Sequence, residues 1–136
     1  MIRLAVDAII VRDSKILLIE RKNPPHGMAL PGGLVEEYES CEEAVARELK
    51  EETNLDVLIS EQLGTYSRPN RDPRGRTVSV VYMIEAAGDP TAGDDAKDFK
   101  WVPIEELTPE LLAFDHFDII QDYINYKIRR GLCLDS

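Results

Sequence analysis

Residues 47–52, Arg47-Glu48-Leu49-Lys50-Glu51-Glu52, put the tightest limit on what this chain can fold into. On a helix each residue advances by about 100°, so Glu48, Glu51 and Glu52 fall at i, i+3 and i+4 and share one face. Like charges at that spacing repel one another. A hard cation among them removes the repulsion, because Mg²⁺ and Mn²⁺ prefer carboxylate oxygens and water. Spacing alone suits a solvated acidic face equally well.

The flanking residues supply start and stop signals for this helix. Ser40 can cap its N-terminus, and Glu43 three residues later completes a capping box. Cys41, Ala44, Val45 and Leu49 recur at helical spacing and form an inward stripe beside the acidic edge. Asn54 stands where the helix must stop. Asn tolerates the left-handed conformation of a C-terminal cap, and Leu55 follows it with a hydrophobic contact. Ahead of the helix, Pro31-Gly32-Gly33 reads as a tight turn with backbone carbonyls free to point at a metal.

Together these residues carry a resemblance. Gly33, Glu39, Arg47, Glu48, Leu49, Glu51, Glu52 and Leu55 fall on the fixed positions of the Nudix box, G-x5-E-x7-R-E-U-x-E-E-x-G-U, with U a bulky aliphatic. The box spans residues 33–55, and only its last Gly differs, being Asn54 here. The resemblance implies the α/β/α Nudix fold, a mixed sheet between helices. It also implies Mg²⁺, with Mn²⁺ as a substitute, held by Glu48, Glu51, Glu52 and the carbonyl of Gly32. Arg47 would then orient the glutamates, and Glu39 would support the helix or an outer metal. Glu48 is one candidate base. An acid from a later loop is another, with Asp94, Asp95 and Asp98 as candidates.

Length and charge narrow the rest. At 136 residues the chain makes one domain, residues 1–136, with 43% hydrophobic content suited to a globular protein. No apolar run reaches membrane-spanning length. The N-terminus is interrupted by Asp7 and Arg12 and has no small-residue cleavage site, so it reads as a strand and points to the cytoplasm. A net charge of −10 argues against nucleic acid as a partner. A phosphate ligand must then be held against the overall field by a metal and local arginines.

In chain order, residues 2–11 and 15–20 read as a hairpin about Arg12-Asp13-Ser14. Arg21 ends the second strand, where a base can reach a bound anion. After the acidic helix, residues 56–66 read as one or two strands with a break near Gly64. Residues 67–76 hold Arg68, Arg71, Arg74 and Arg76 and are the only clearly basic segment. A loop of arginines beside a carboxylate–metal site suits a diphosphate, since guanidinium pairs bidentately with phosphate oxygens. A surface hairpin tip is the alternative. Residues 77–85 read as a buried strand and 99–102 as a short one. A closing helix runs to about Arg129, with Ile119, Ile120, Tyr123, Ile124 and Ile128 on its apolar face.

Further stretches resemble the prokaryotic ADP-ribose pyrophosphatases within that family. They are Arg71-Asp72-Pro73-Arg74-Gly75-Arg76, Gly93-Asp94-Asp95-Ala96-Lys97, Trp101, and Leu112-Ala113-Phe114-Asp115-His116. The implied reaction is hydrolysis of ADP-ribose to AMP and ribose 5-phosphate. By the same resemblance, Glu48, Glu52, Arg47 and Asp95 are catalytic. Arg21, Arg71, Arg74, Arg76, Asp94 and His116 bind substrate, and the molecule is a homodimer. Two alternatives remain: a Nudix enzyme for another nucleoside diphosphate derivative or modified triphosphate, and a non-catalytic module that binds ADP-ribose or NAD metabolites.

Overall fold

The computed structural model describes residues 1–91 and 98–132. In order they form β1 (Arg3–Ile9), β2 (Val11–Arg12), β3 (Lys15–Arg21), β4 (Gly27–Ala29), β5 (Gly32–Leu34), α1 (Cys41–Thr53), β6 (Asp56–Tyr66), β7 (Thr77–Ala87), β8 (Phe99–Pro103), a 3-10 turn (Ile104–Glu106) and α2 (His116–Arg129). One mixed sheet has the order β5-β1-β7-β6, with β1 and β7 parallel and the other neighbours antiparallel. A second, antiparallel sheet has the order β2-β3-β4, with β8 also paired to β3 along Lys15–Ile19. Among the described residues, no helix is long and apolar enough to cross a membrane.

The strands near the centre are covered on both faces. Val6, Ala8 and Ile10 pack with Val80, Tyr82 and Ile84 against Ala44, Val45 and Leu49 of α1. Ile9, Val11 and Val81 instead join Ile119, Ile120 and Tyr123 of α2. Two buried faces explain why the sequence there is a continuous apolar run instead of an alternating one. Full burial of Leu49, 1% exposed, contributes roughly 2 kcal/mol. Ile128 does not join the apolar face of α2. It is 66% exposed, one turn beyond where the helix leaves the core.

The expected hairpin of residues 2–11 with 15–20 is mostly not formed. Val11 and Arg12 pair with Ile16 and Lys15, and the Ile10 carbonyl accepts the Leu17 N–H at 3.0 Å. Asp13 and Ser14 both have positive φ (52° and 60°), the conformation of a tight two-residue hairpin turn. Upstream of Ile10 the chain changes partners, and β1 joins β5 and β7 of the other sheet. The β6 strand runs unbroken through Gly64, where a register shift between Gln62 and Gly64 takes up the irregularity.

Candidate active site

The acidic helix has the ends its sequence requires. Ser40 accepts from the Glu43 backbone N–H at 3.0 Å, and Glu43 accepts from the Ser40 N–H at 2.9 Å. Asn54 closes it in the left-handed conformation, φ 66°. Between these caps α1 sends Glu48 and Glu52 to one place, Gly32 and Gly33. The tight turn expected there is only a bend at Pro31, and the two glycines open β5, paired with Asp7 and Val6 of β1. Glu52, 2% exposed, accepts the Gly32 N–H at 2.8 Å. A Cβ on Gly33 would lie 2.5 Å from the Glu48 carboxylate, and one on Gly32 would lie 2.1 Å from the Val6 carbonyl oxygen. Only glycine permits this approach of strands and carboxylates.

Arg47 binds the acids together. Its guanidinium donates to Glu39 at 2.5 and 3.0 Å, to Glu48 at 2.8 Å, to Glu51 at 3.3 Å and to the Leu34 carbonyl at 3.1 Å. Its hydrogen bonds, with one from the Glu36 backbone, hold the Glu39 carboxyl down at about 2. The Glu39 bond in turn raises the Arg47 pKa. Among the described residues, no three acidic or histidine side chains already stand as a ligating cluster. Glu48 and Glu51 rest on Arg47 instead. The donor chemistry still fits a hard divalent cation: two carboxylates converge on one pair of glycines, and a third is held by the same arginine.

Beside these glycines lies a cavity of about 430 Å³. Its lining mixes acids, Asp7, Glu20, Glu52 and Asp72, with the cations Arg3, Arg21, Lys22, Arg71 and Arg74. Phe114, at φ 56°, brings two of these arginines together. The Arg21 guanidinium lies 4.9 Å and the Arg74 guanidinium 5.1 Å from its ring. Burial and the nearby Arg74 charge lower the Arg21 pKa. Arg74 is oriented by Asp72, to which it donates at 2.9 and 3.1 Å.

The residues singled out in the sequence therefore separate. Gly32, Glu52, Arg21, Arg71, Arg74 and His116 share the cavity. Glu48 meets its floor at Gly33. The guanidinium of Arg71 is engaged inside the fold. It is paired bidentately with Asp115 at 2.7 and 2.9 Å, and its side chain is only 4% exposed. Arg76 donates to the Ser67 carbonyl at 3.1 Å and is not a cavity residue. Asp94 and Asp95 lie outside the described residues. Asp98 is exposed, and its carbonyl accepts from the Glu20 N–H at 2.9 Å.

Two buried titratable groups complete the cavity wall. Asp7 sits in β1, and burial raises its pKa to about 7, opposed by a hydrogen bond from the Ser79 hydroxyl at 2.5 Å. His116 opens α2, and burial lowers its pKa to about 3. Its Nδ1 accepts the Leu30 N–H at 3.0 Å, a bond that protonation there would remove. Sequence reasoning passed over Asp7. The signal was present, since an acid inside the apolar run Leu4-Ala5-Val6-Asp7-Ala8-Ile9 must be satisfied internally.

The two groups give opposite pH dependences. His116 contributes stability above its unfolded pKa of 6.5 that is lost as pH falls toward 3. Asp7 contributes stability below its unfolded 3.8 that is lost as pH rises through about 7. An Asn at position 116 can keep an acceptor for the Leu30 N–H and cannot charge. His116→Asn is therefore expected to lose less stability than the wild type between pH 6.5 and 4. Melting temperatures across that range check this. Parallel curves for the two proteins would remove His116 from the acid response.

Comparison with known proteins adds to this geometry. The model of the NUDIX domain matches residues 1–123. An ADP-ribose pyrophosphatase of Methanocaldococcus jannaschii is 51% identical over 126 residues, covering 90% of this chain and 73% of that protein. The crystal structure of a MutT/nudix family protein from Enterococcus faecalis superposes with a TM-score of 0.83 at 35% identity, over 95% of this chain and 63% of that one. The NUDIX domain of Shewanella oneidensis NrtR, solved with ADP ribose, superposes with a TM-score of 0.83 at 32% identity, over 93% and 88% of the two chains.

Proposed function

This chain belongs to the NUDIX domain family, and from that premise we propose that it hydrolyses the diphosphate of ADP-ribose to AMP and ribose 5-phosphate with Mg²⁺, or Mn²⁺ in its place. The observation that carries the reading is one cavity lined both by Glu52 with the glycines Gly32 and Gly33, which suit a cation, and by Arg21 and Arg74 gathered on Phe114, which suit phosphate oxygens. The 51% identical relative named as an ADP-ribose pyrophosphatase supports the same substrate.

Glu48, Glu51, Glu52 and the Gly32 carbonyl would hold the metal, with Arg47 keeping the glutamates in place. When bound, the cation neutralises diphosphate charge and acidifies a water. Arg21 and Arg74 bind and orient the diphosphate. Glu48, at Gly33, or Asp95 accepts the proton of the attacking water. His116, uncharged and fixed by Leu30, lines the cavity as a neutral wall. The test is product analysis: ADP-ribose with Mg²⁺ yields AMP and ribose 5-phosphate, and EDTA stops the reaction reversibly. Activity that persists in EDTA would refute the metal mechanism.

Arg74 has a side chain 45% exposed, and its removal also takes the bidentate partner from Asp72, whose side chain is 2% exposed, so KM is read on folded protein. Arg74→Ala is expected to raise KM for ADP-ribose about tenfold, the scale of one hydrogen bond to a charged group, with a smaller change in kcat. An unchanged KM would reduce Arg74 to a cover for Phe114.

The resemblance also supports a homodimer. Leu58 and Ile59, 62% and 57% exposed, lie on β6, the last strand of its sheet among the described residues. The NrtR domain solved with ADP ribose favours one second reading, a module that binds ADP-ribose without cleaving it. The retained Glu48, Glu51 and Glu52 weigh against it, since binding alone does not call for three clustered glutamates. Saturable ADP-ribose binding without turnover in Mg²⁺ would favour it.

A further inference from the structure

Behind the glycine pair, one buried side chain links four parts of the fold. Asp7 of β1 is paired in register with Gly32 of β5. A Cβ on Gly32 would lie 2.7 Å from Asp7 Oδ1, so backbone and carboxyl are in contact. On the other oxygen, Oδ2, Asp7 accepts from the Ser79 hydroxyl of β7 at 2.5 Å. His116 Nε2, at the start of α2, faces the same Oδ2 at 3.8 Å. Because His116 Nδ1 accepts the Leu30 N–H, the proton of the neutral ring rests on Nε2 and points its positive end at Asp7. The chain of contacts runs from Leu30 through His116 and Asp7 to Ser79. It grips the residues on both sides of Pro31, and the Pro31 carbonyl accepts the Ala8 N–H at 2.8 Å. On the far side of the glycine pair, the Gly32 N–H holds Glu52.

We propose that Asp7, held by the Ser79 hydroxyl and faced by His116, is a positioning residue that sets the Gly32-Gly33 start of β5 against Glu52 and thereby fixes the geometry of cation binding. It rests on the proposed function only in taking that start of β5 as the cation site. Asp7 acts on the cation through Gly32, with which it is paired in register. Three polar groups from β1, β7 and α2 would otherwise be costly to bury here, each without water to satisfy it. Partners behind the ligands of a metal site fix ligand orientation in this way, and their loss typically costs about 10- to 100-fold in metal affinity. Ser79 separates position from charge: Ser79→Ala leaves the Asp7 carboxyl in place and removes only the hydrogen bond that holds it.

The test is Mn²⁺ affinity of the full chain without substrate, read from the electron paramagnetic resonance signal of free Mn²⁺. Proteins to compare are the wild type, Asp7→Asn, Ser79→Ala and a distant control, Asp122→Asn, which removes an exposed charge and leaves the Tyr66 hydroxyl an acceptor. Asp7→Asn is expected to weaken Mn²⁺ binding by about tenfold or more, Ser79→Ala by several-fold, and the control not at all. The Mg²⁺ concentration for half-maximal activity should rise in the same order, while KM for ADP-ribose at saturating Mg²⁺ stays within about twofold. If Asp7→Asn does not fold, Ser79→Ala carries the test alone. Wild-type Mn²⁺ affinity in folded Ser79→Ala overturns the proposal. A wild-type protein that binds Mn²⁺ yet leaves ADP-ribose intact overturns the substrate reading and leaves this one standing.

Discussion

Glu52→Gln is expected to lower kcat by about three orders of magnitude or more while leaving the protein at least as stable as the wild type. The two halves of this result have separate causes. Glu52 is 2% exposed and lies close enough to Asp7 for each carboxylate to disfavour the charge of the other. Gln is the same size, keeps an oxygen for the Gly32 N–H and removes a buried charge beside Asp7. What the protein loses is an anionic oxygen at the cation site, which an amide replaces poorly. Initial rates and a melting curve on one preparation measure both. Unchanged turnover would make Glu52 a buried anchor of β5 and no ligand.

Arg71→Ala carries the largest expected effect on stability, about 3–5 kcal/mol. The Arg71 fork donates two hydrogen bonds to Asp115 and a third, at 3.4 Å, to the Thr77 carbonyl. Truncation strands the Asp115 carboxylate, 18% exposed, and opens a gap between the loop at 67–76 and the start of α2. Urea unfolding should report this as a lower midpoint with little change in slope. An unchanged midpoint with a raised KM for ADP-ribose would restore Arg71 to the role of a free phosphate ligand.

The reach of the sequence follows the distance over which each interaction acts. Ser40, Glu43 and Asn54 were legible because caps are built from residues three or four apart. The register of Glu48 with Glu52 was legible for the same reason. The exchange of partners at Ile10 was not, because β1 finds β7 some seventy residues later and no local pattern marks the change. The same limit hid the fate of Arg71. Its spacing in a basic loop suggested a phosphate ligand, but its partner Asp115 lies 44 residues on. Asp7 left a local trace, an acid within an apolar strand, while its partners Ser79 and His116 needed the fold. Trp101, grouped with the substrate motifs, lies under Arg12 at 5.7 Å and packs against the core on the α1 side.

Initial rates of hydrolysis in Mg²⁺ across ADP-ribose, NAD⁺, ADP-glucose, diadenosine polyphosphates, dGTP and 8-oxo-dGTP, with products separated by chromatography, decide the substrate. The account predicts a clear preference for ADP-ribose, with AMP and ribose 5-phosphate released in equal amounts. A preference for another member of the panel, or saturable ADP-ribose binding with no hydrolysis, would contradict it.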